Sequence, residues 1–390
     1  MEKKGIFVNV DESNYKFKYN AFLEFFIAKG MMYDDSFKSK ILDEKKILNY
    51  KNEINYYSGL HGEDEKTITI IKNIVKQYDS FFSSVKYSDC NTLTIPEIDL
   101  PSNDKEIVIE QISQDKKDQL LEKNSVSLRQ NNNIKCLDNS IEEENVTDKL
   151  SYEKRIFDLN ILLMKVIRNS EKLKEPILKT DVVKLVTSNL SKFLQKFMNE
   201  INHLKENSLK ENKENKENKE NKENKEENMK EEDIHKFFSI INLIISLTFM
   251  KVAQHNLATE SFVTIYKEIL DDTEDDILKL LIISTIVHTS NAKNLSLIDE
   301  LLDKNNRFSK NKFLMTSLFY KIRHSIKFAE IDNKFKNKFE KYLNDIIINL
   351  KYIDLNTTGH KFKGLSKKMS IEGSRKLISG KIKESLYKDE

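Results

Sequence analysis

The most concentrated chemistry in this sequence is positive charge near its end. From Arg307 to Lys341 ten Lys/Arg stand against three acids, Glu330, Asp332 and Glu340. Ammonium groups at this density attract phosphate backbones or acidic partners without reading a base sequence. The candidate surface is Lys321, Arg323, Lys327, Lys334, Lys338 and Lys341, continued in the tail by Lys361, Lys363, Lys367, Lys368, Arg375 and Lys376. Only six of the chain's 65 Lys+Arg are arginine. Lysine supplies point charges, whereas bidentate recognition of a base or phosphate uses the guanidinium fork. The interleaved Phe328, Phe335, Phe339, Tyr342 and Phe362 are spaced as on a helix, so core packing accounts for most of them.

Other constellations read as structure. Asp271-Asp272-Thr273-Glu274-Asp275-Asp276 is the densest acidic run. It lacks the alternating acids, the glycine and the closing glutamate of a calcium loop. Thr273 is the expected cap of a following helix, with the acids complementing the helix dipole. Ser58-Gly59-Leu60-His61 sets a hydroxyl and an imidazole in one turn without a nucleophile elbow. Cys90 and Cys136 form no Cys-x-x-Cys, and no His-Glu-x-x-His occurs. No glycine lies between 63 and 358, which removes phosphate-cradling loops from most of the chain. No catalytic, cofactor-binding or metal-ligating residue is identified, and no cofactor is expected.

The elements that hold these groups read as helices. Residues 1–12 are an irregular or short extended lead-in. A helix is expected from Asn14, carrying Tyr19, Phe22, Phe25 and Phe26 and stopping at Gly30, then one over 34–50 and one over 63–85. Pro96 and Pro101 close this N-terminal helical unit, 1–100. A polar, disordered linker follows at 101–150. Apolar periodicity returns in a helical hairpin over 151–206, jointed at Pro176. Residues 207–233 form a low-complexity insert in which Lys-Glu-Asn recurs, and disorder is expected there. The tripeptide resembles the KEN-box degron, although repetition in a compositionally biased chain writes the same letters. Helices are then expected over 234–254, 258–271, 275–289, 294–304, 308–329 and 332–351, in an α-helical repeat-like domain, 234–355, followed by a basic tail, 356–390. Ile277 to Val287 is apolar nearly all round and must be covered on both sides. Phe237 to Met250 carries no charge but, at 14 residues, is shorter than a membrane span, so a buried core helix is expected and no transmembrane segment.

The fold expected is all-α: stacked helical hairpins in the manner of a HEAT/armadillo-like α-solenoid. With no signal-peptide core at the start and two cysteines, an intracellular setting is expected, cytoplasm or nucleus. The function expected is a non-enzymatic scaffold or adaptor that binds a protein partner within a larger complex. The alternative is a nucleic-acid- or chromatin-associated protein that uses the basic C-terminal third. The net charge of +2 conceals a polarity, since residues 307–390 carry +11 and the first 306 carry −9.

Overall fold

The computed structural model describes residues 7–11, 14–17, 19–83, 85, 147–170, 172–219, 231–289, 292–303, 306–328 and 333–357. The expected linker and basic tail lie almost wholly outside these residues. Among the described residues, thirteen α-helices make up the regular structure, apart from short 3-10 turns and one small hairpin of strands, β1 (Phe7–Asp11) and β2 (Asn14–Phe17). The strands pair antiparallel, Phe7 opposite Phe17 and Val8 opposite Lys16. The expected helix start at Asn14 is therefore corrected. Val8, Val10 and Tyr15 favour a pleated pair, and α1 (Asn20–Tyr33) begins after it.

Helix α1 does not stop at Gly30 but runs through it to Tyr33. A Cβ at Gly30 would lie 3.1 Å from the Phe37 ring, so glycine here permits a close helix approach. The expected helix over 34–50 is shorter: α2 (Asp35–Ile41) is capped by Asp34, and a 3-10 turn spans Ile47–Tyr50. Then come α3 (Lys51–Leu60), α4 (Glu65–Lys76) and α5 (Asp79–Ser83), so the expected helix over 63–85 is broken at Gln77 and Tyr78.

Helices α3 and α4 pack against α6 (Thr147–Asn169). Asn169 Nδ2 donates to the Asn55 carbonyl at 3.1 Å and to Ser58 Oγ at 3.0 Å. Arg155 Nη2 donates to the Glu44 carbonyl at 2.6 Å. A Cβ at Gly62 would lie 2.8 Å from the Asn169 carbonyl oxygen, so this joint requires glycine.

Helix α7 (Pro176–Lys219) opens on proline, which suits a first helical turn. It pairs with α8 (Glu231–Leu257). The expected disorder over 207–233 is corrected in part: α7 continues through the Lys-Glu-Asn tract to Lys219. Lysine and glutamate are good helix formers, and they prolong a helix already nucleated by buried turns.

Helices α9 (Val263–Asp272), α10 (Asp276–Thr289), α11 (Ala292–Leu302), α12 (Lys312–Lys327) and α13 (Asn333–Thr357) complete the chain. Helix α10 is the centre. From Leu280 to Val287 every residue is buried, because α7, α8, α9, α11 and α12 all pack on it. Buried apolar residues from Ala28 to Leu350 form one contiguous cluster.

Candidate partner-binding interface

The paired helices α7 and α8 leave the core partway along their length. Val182, Val183, Val186, Leu190, Phe193, Leu194 and Met198 of α7 are buried, and among the described residues no apolar side chain of α7 beyond Met198 is. At about 1.5 Å per residue its 44 residues span about 66 Å. On α8, Met250, Ala253 and Leu257 join the main core, while Ile234, Phe238 and Leu243 are buried outside it. The rings of Phe197 and Phe249, 5.7 Å apart, join the two helices where the core ends.

The outer face of α8 is apolar and open. Phe237, Ile240 and Ile244 are 53%, 40% and 51% exposed. They sit three and four residues apart and so share one stripe. Leu204 of α7 is likewise exposed. The inner face carries polar groups. Asn242 is fully buried with both amide atoms unpartnered, and Ser246 Oγ donates to its carbonyl at 2.8 Å. Among the described residues α8 is the one helix long and apolar enough to cross a membrane, and half of its apolar window is buried inside the protein.

Sequence reasoning missed this face. Residues 237–250 read as a core helix because they carry no charge, yet hydropathy alone does not say which side is covered. The available signal was the placement of Ser239, Asn242 and Ser246 on one side and Phe237, Ile240 and Ile244 on the other.

Among the described basic candidates, two are buried and three lie at the surface. Lys321 and Arg323 are only 5% and 8% exposed, on a helix buried over most of its circumference. Lys321 Nζ donates to Gln254 Oε1, whose Nε2 lies 3.0 Å from His288 Nδ1. Burial holds the Arg323 guanidinium pKa below its usual value. Lys321, through Gln254, ties α12 to α8. Lys327 and Lys341 are exposed, and Lys338 reaches Asp299 at 2.9 Å. Lys334 lies on α13, but its side chain is outside the described residues, as are Lys361, Lys363, Lys367, Lys368, Arg375 and Lys376.

The acidic run acts as architecture. Asp275, not Thr273, caps α10: its Oδ1 accepts from the Ile277 and Leu278 amides at 3.0 and 3.1 Å. Its Oδ2 accepts from Ser191 Oγ at 2.6 Å. Thr273 Oγ1 instead accepts from the Asp275 amide at 3.1 Å. Asp276 is buried, which raises its carboxyl pKa against the opposing pull of Arg307, 3.3 Å away. No group of three or more His, Cys, Asp or Glu able to hold a metal occurs among the described residues.

One cluster has the residue types of an acid–base site. Asp64 Oδ2 accepts from Tyr57 Oη at 2.5 Å, Thr67 Oγ1 at 2.8 Å and Lys38 Nζ at 3.2 Å. Its Oδ1 caps α4 through the Lys66 and Thr67 amides at 3.1 and 3.2 Å. Burial pushes the Asp64 carboxyl up, but the Tyr57 and Thr67 hydrogen bonds and the Lys38 charge outweigh it and hold it at about 2. Burial and the bond to Asp64 push the Tyr57 hydroxyl up to about 12. With five donors on one carboxylate, the cluster joins α2, α3 and α4 and leaves no acceptor facing a substrate. Ser58, in the same joint, is buried and held by Asn169.

Comparison with protein-family models, with curated proteins and with solved structures returns no match. The chain's own geometry therefore carries the functional reading, and the open face of α8 is its most specific feature.

Proposed function

We propose that this chain is a non-enzymatic, intracellular helical scaffold, its helices stacked as successive hairpins in the manner of an α-solenoid. It holds a protein partner on the outer face of α8. The observation that carries this reading is the stripe Phe237, Ile240 and Ile244, exposed on a helix whose other side is packed. A contiguous apolar stripe costs solubility unless something covers it, and such patches mark interaction sites. The stacking is supported by the packing of neighbours in sequence, α6 on α7, α7 on α8, α9 on α10, α10 on α11 and α12 on α13.

The test is Ile244→Asp in the full chain. A charge on an exposed position leaves the fold intact and removes the apolar contact. Affinity purification of a tagged chain from the source cells is expected to recover a stoichiometric partner, another protein or an untagged copy of the chain, and to lose it with the variant, at equal far-UV circular dichroism. Recovery of chaperones alone, or of the same partner by both chains, removes the proposal.

A further inference from the structure

We infer that the partner on α8 is a second copy of this chain, packed antiparallel. The inference rests on the reading of that face as the binding face and identifies what covers it.

The argument comes from the order of residues along the stripe. Asp233, Phe237, Ile240, Ile244, Leu247 and Lys251 succeed one another at spacings of four, three, four, three and four. That is a heptad seam, and it keeps one face of a helix turned toward a partner helix. Asp233 and Lys251 are exposed, while Leu247 is half-buried, packing in part against the main core with the rest of its side chain on the seam. The seam begins on an acid, ends on a base and is apolar between them.

A two-fold axis at the level of Asn242 maps this seam onto itself. Ile240 meets Ile244 of the second copy, Phe237 meets Leu247, and Asp233 meets Lys251. A parallel pair would set Asp233 against Asp233 and Lys251 against Lys251, and like charges in register are repulsive. The antiparallel arrangement also sets the two helix dipoles in opposition. An interface in which the same patch serves both copies closes as a dimer and does not propagate. Two α7–α8 pairs joined in this way form a four-helix layer.

The test is sedimentation of the full chain across a concentration series at neutral pH. The expected mass is that of two chains. Ile244→Asp is expected to raise the dissociation constant about tenfold or more. Asp233→Lys alone weakens the dimer, and Asp233→Lys combined with Lys251→Asp restores it, which separates pairing from misfolding. In a Cys90→Ser/Cys136→Ser background, mixing an Ile240→Cys chain with an Ile244→Cys chain is expected to give a disulfide-linked heterodimer more readily than either chain alone.

A monomer at every concentration overturns the inference. So does a dimer indifferent to Ile244→Asp, or one in which Ile240→Cys prefers its own kind. A monomer that floats with anionic vesicles through Ile244 replaces the second copy with lipid. A monomer that loses a different protein on Ile244→Asp also overturns self-pairing but leaves the proposed scaffold standing. A monomer with no such partner removes both.

Discussion

Replacing Asp64 by asparagine should cost stability by an amount that depends on pH. Five hydrogen bonds hold its carboxyl at about 2, against an ordinary 3.8. Each pKa unit corresponds to about 1.4 kcal/mol, so the ionised form contributes about 2 kcal/mol to folding. The folded value lies below the unfolded one. The contribution is therefore complete above about pH 4 and is lost as pH falls through about 2, with roughly half remaining at pH 3. Asp64→Asn keeps an acceptor for the α4 amides but loses the charge that faces Lys38. Urea unfolding of both chains, followed by far-UV circular dichroism at pH 7, 5, 4 and 3, should give a gap of about 2 kcal/mol at pH 7 that narrows toward pH 3. Tyr57→Phe should couple to it in a double-mutant cycle, because the two groups share a 2.5 Å bond. A gap below about 0.5 kcal/mol at pH 7, or one that does not change with pH, refutes the reasoning.

Two further outcomes test other joints. Asp275→Ala, which uncaps α10 and strands Ser191 and Gln195, should lower stability by about 2 kcal/mol, while Asp272→Ala in the same acidic run, exposed and 3.4 Å from Lys184, should change it by less than about 0.5 kcal/mol. Urea unfolding of the two chains decides. Gly62→Ala should lower the melting temperature, because its Cβ would meet a backbone oxygen at 2.8 Å, whereas Gly59→Ala, with its nearest neighbour at 3.9 Å, should be neutral or raise it slightly; thermal melts in parallel check this pair.

Helical class was legible because periodicity survives even in biased composition. Ile277 to Val287 announced a helix covered on every side, and α10 is one. Boundaries were less legible where capping competes with pattern: Asp34, Asp64 and Asp275 set helix starts by hydrogen bonding their own following amides, a local event that apolar spacing does not report. The first strand of the lead-in hairpin falls in the expected extended lead-in, while the second was missed because the three- and four-residue spacings of Tyr15, Tyr19 and Phe22 also fit a helix face. Charge proved a poor guide to exposure. Counting lysines placed Lys321 and Arg323 on a surface, but whether a side chain is covered depends on its neighbours, and both are buried, Lys321 against Gln254 of α8. The open face of α8 was hidden for the converse reason, since an uncharged run looks the same whether it is covered on one side or on both.

The Lys-Glu-Asn extension of α7 has a consequence for how this protein can vary. One unit lengthens the helix by about 4.5 Å and rotates the residues beyond it by about 300°. In a helix with a buried stripe such a rotation would turn the wrong residues outward. Here the repeated unit has no apolar member to misplace, and among the described residues no apolar side chain of α7 beyond Met198 is buried. Copies of the tripeptide can be gained or lost at the far end while the packed turns keep their register. Related chains are therefore expected to differ first in the reach of this arm and last in α10.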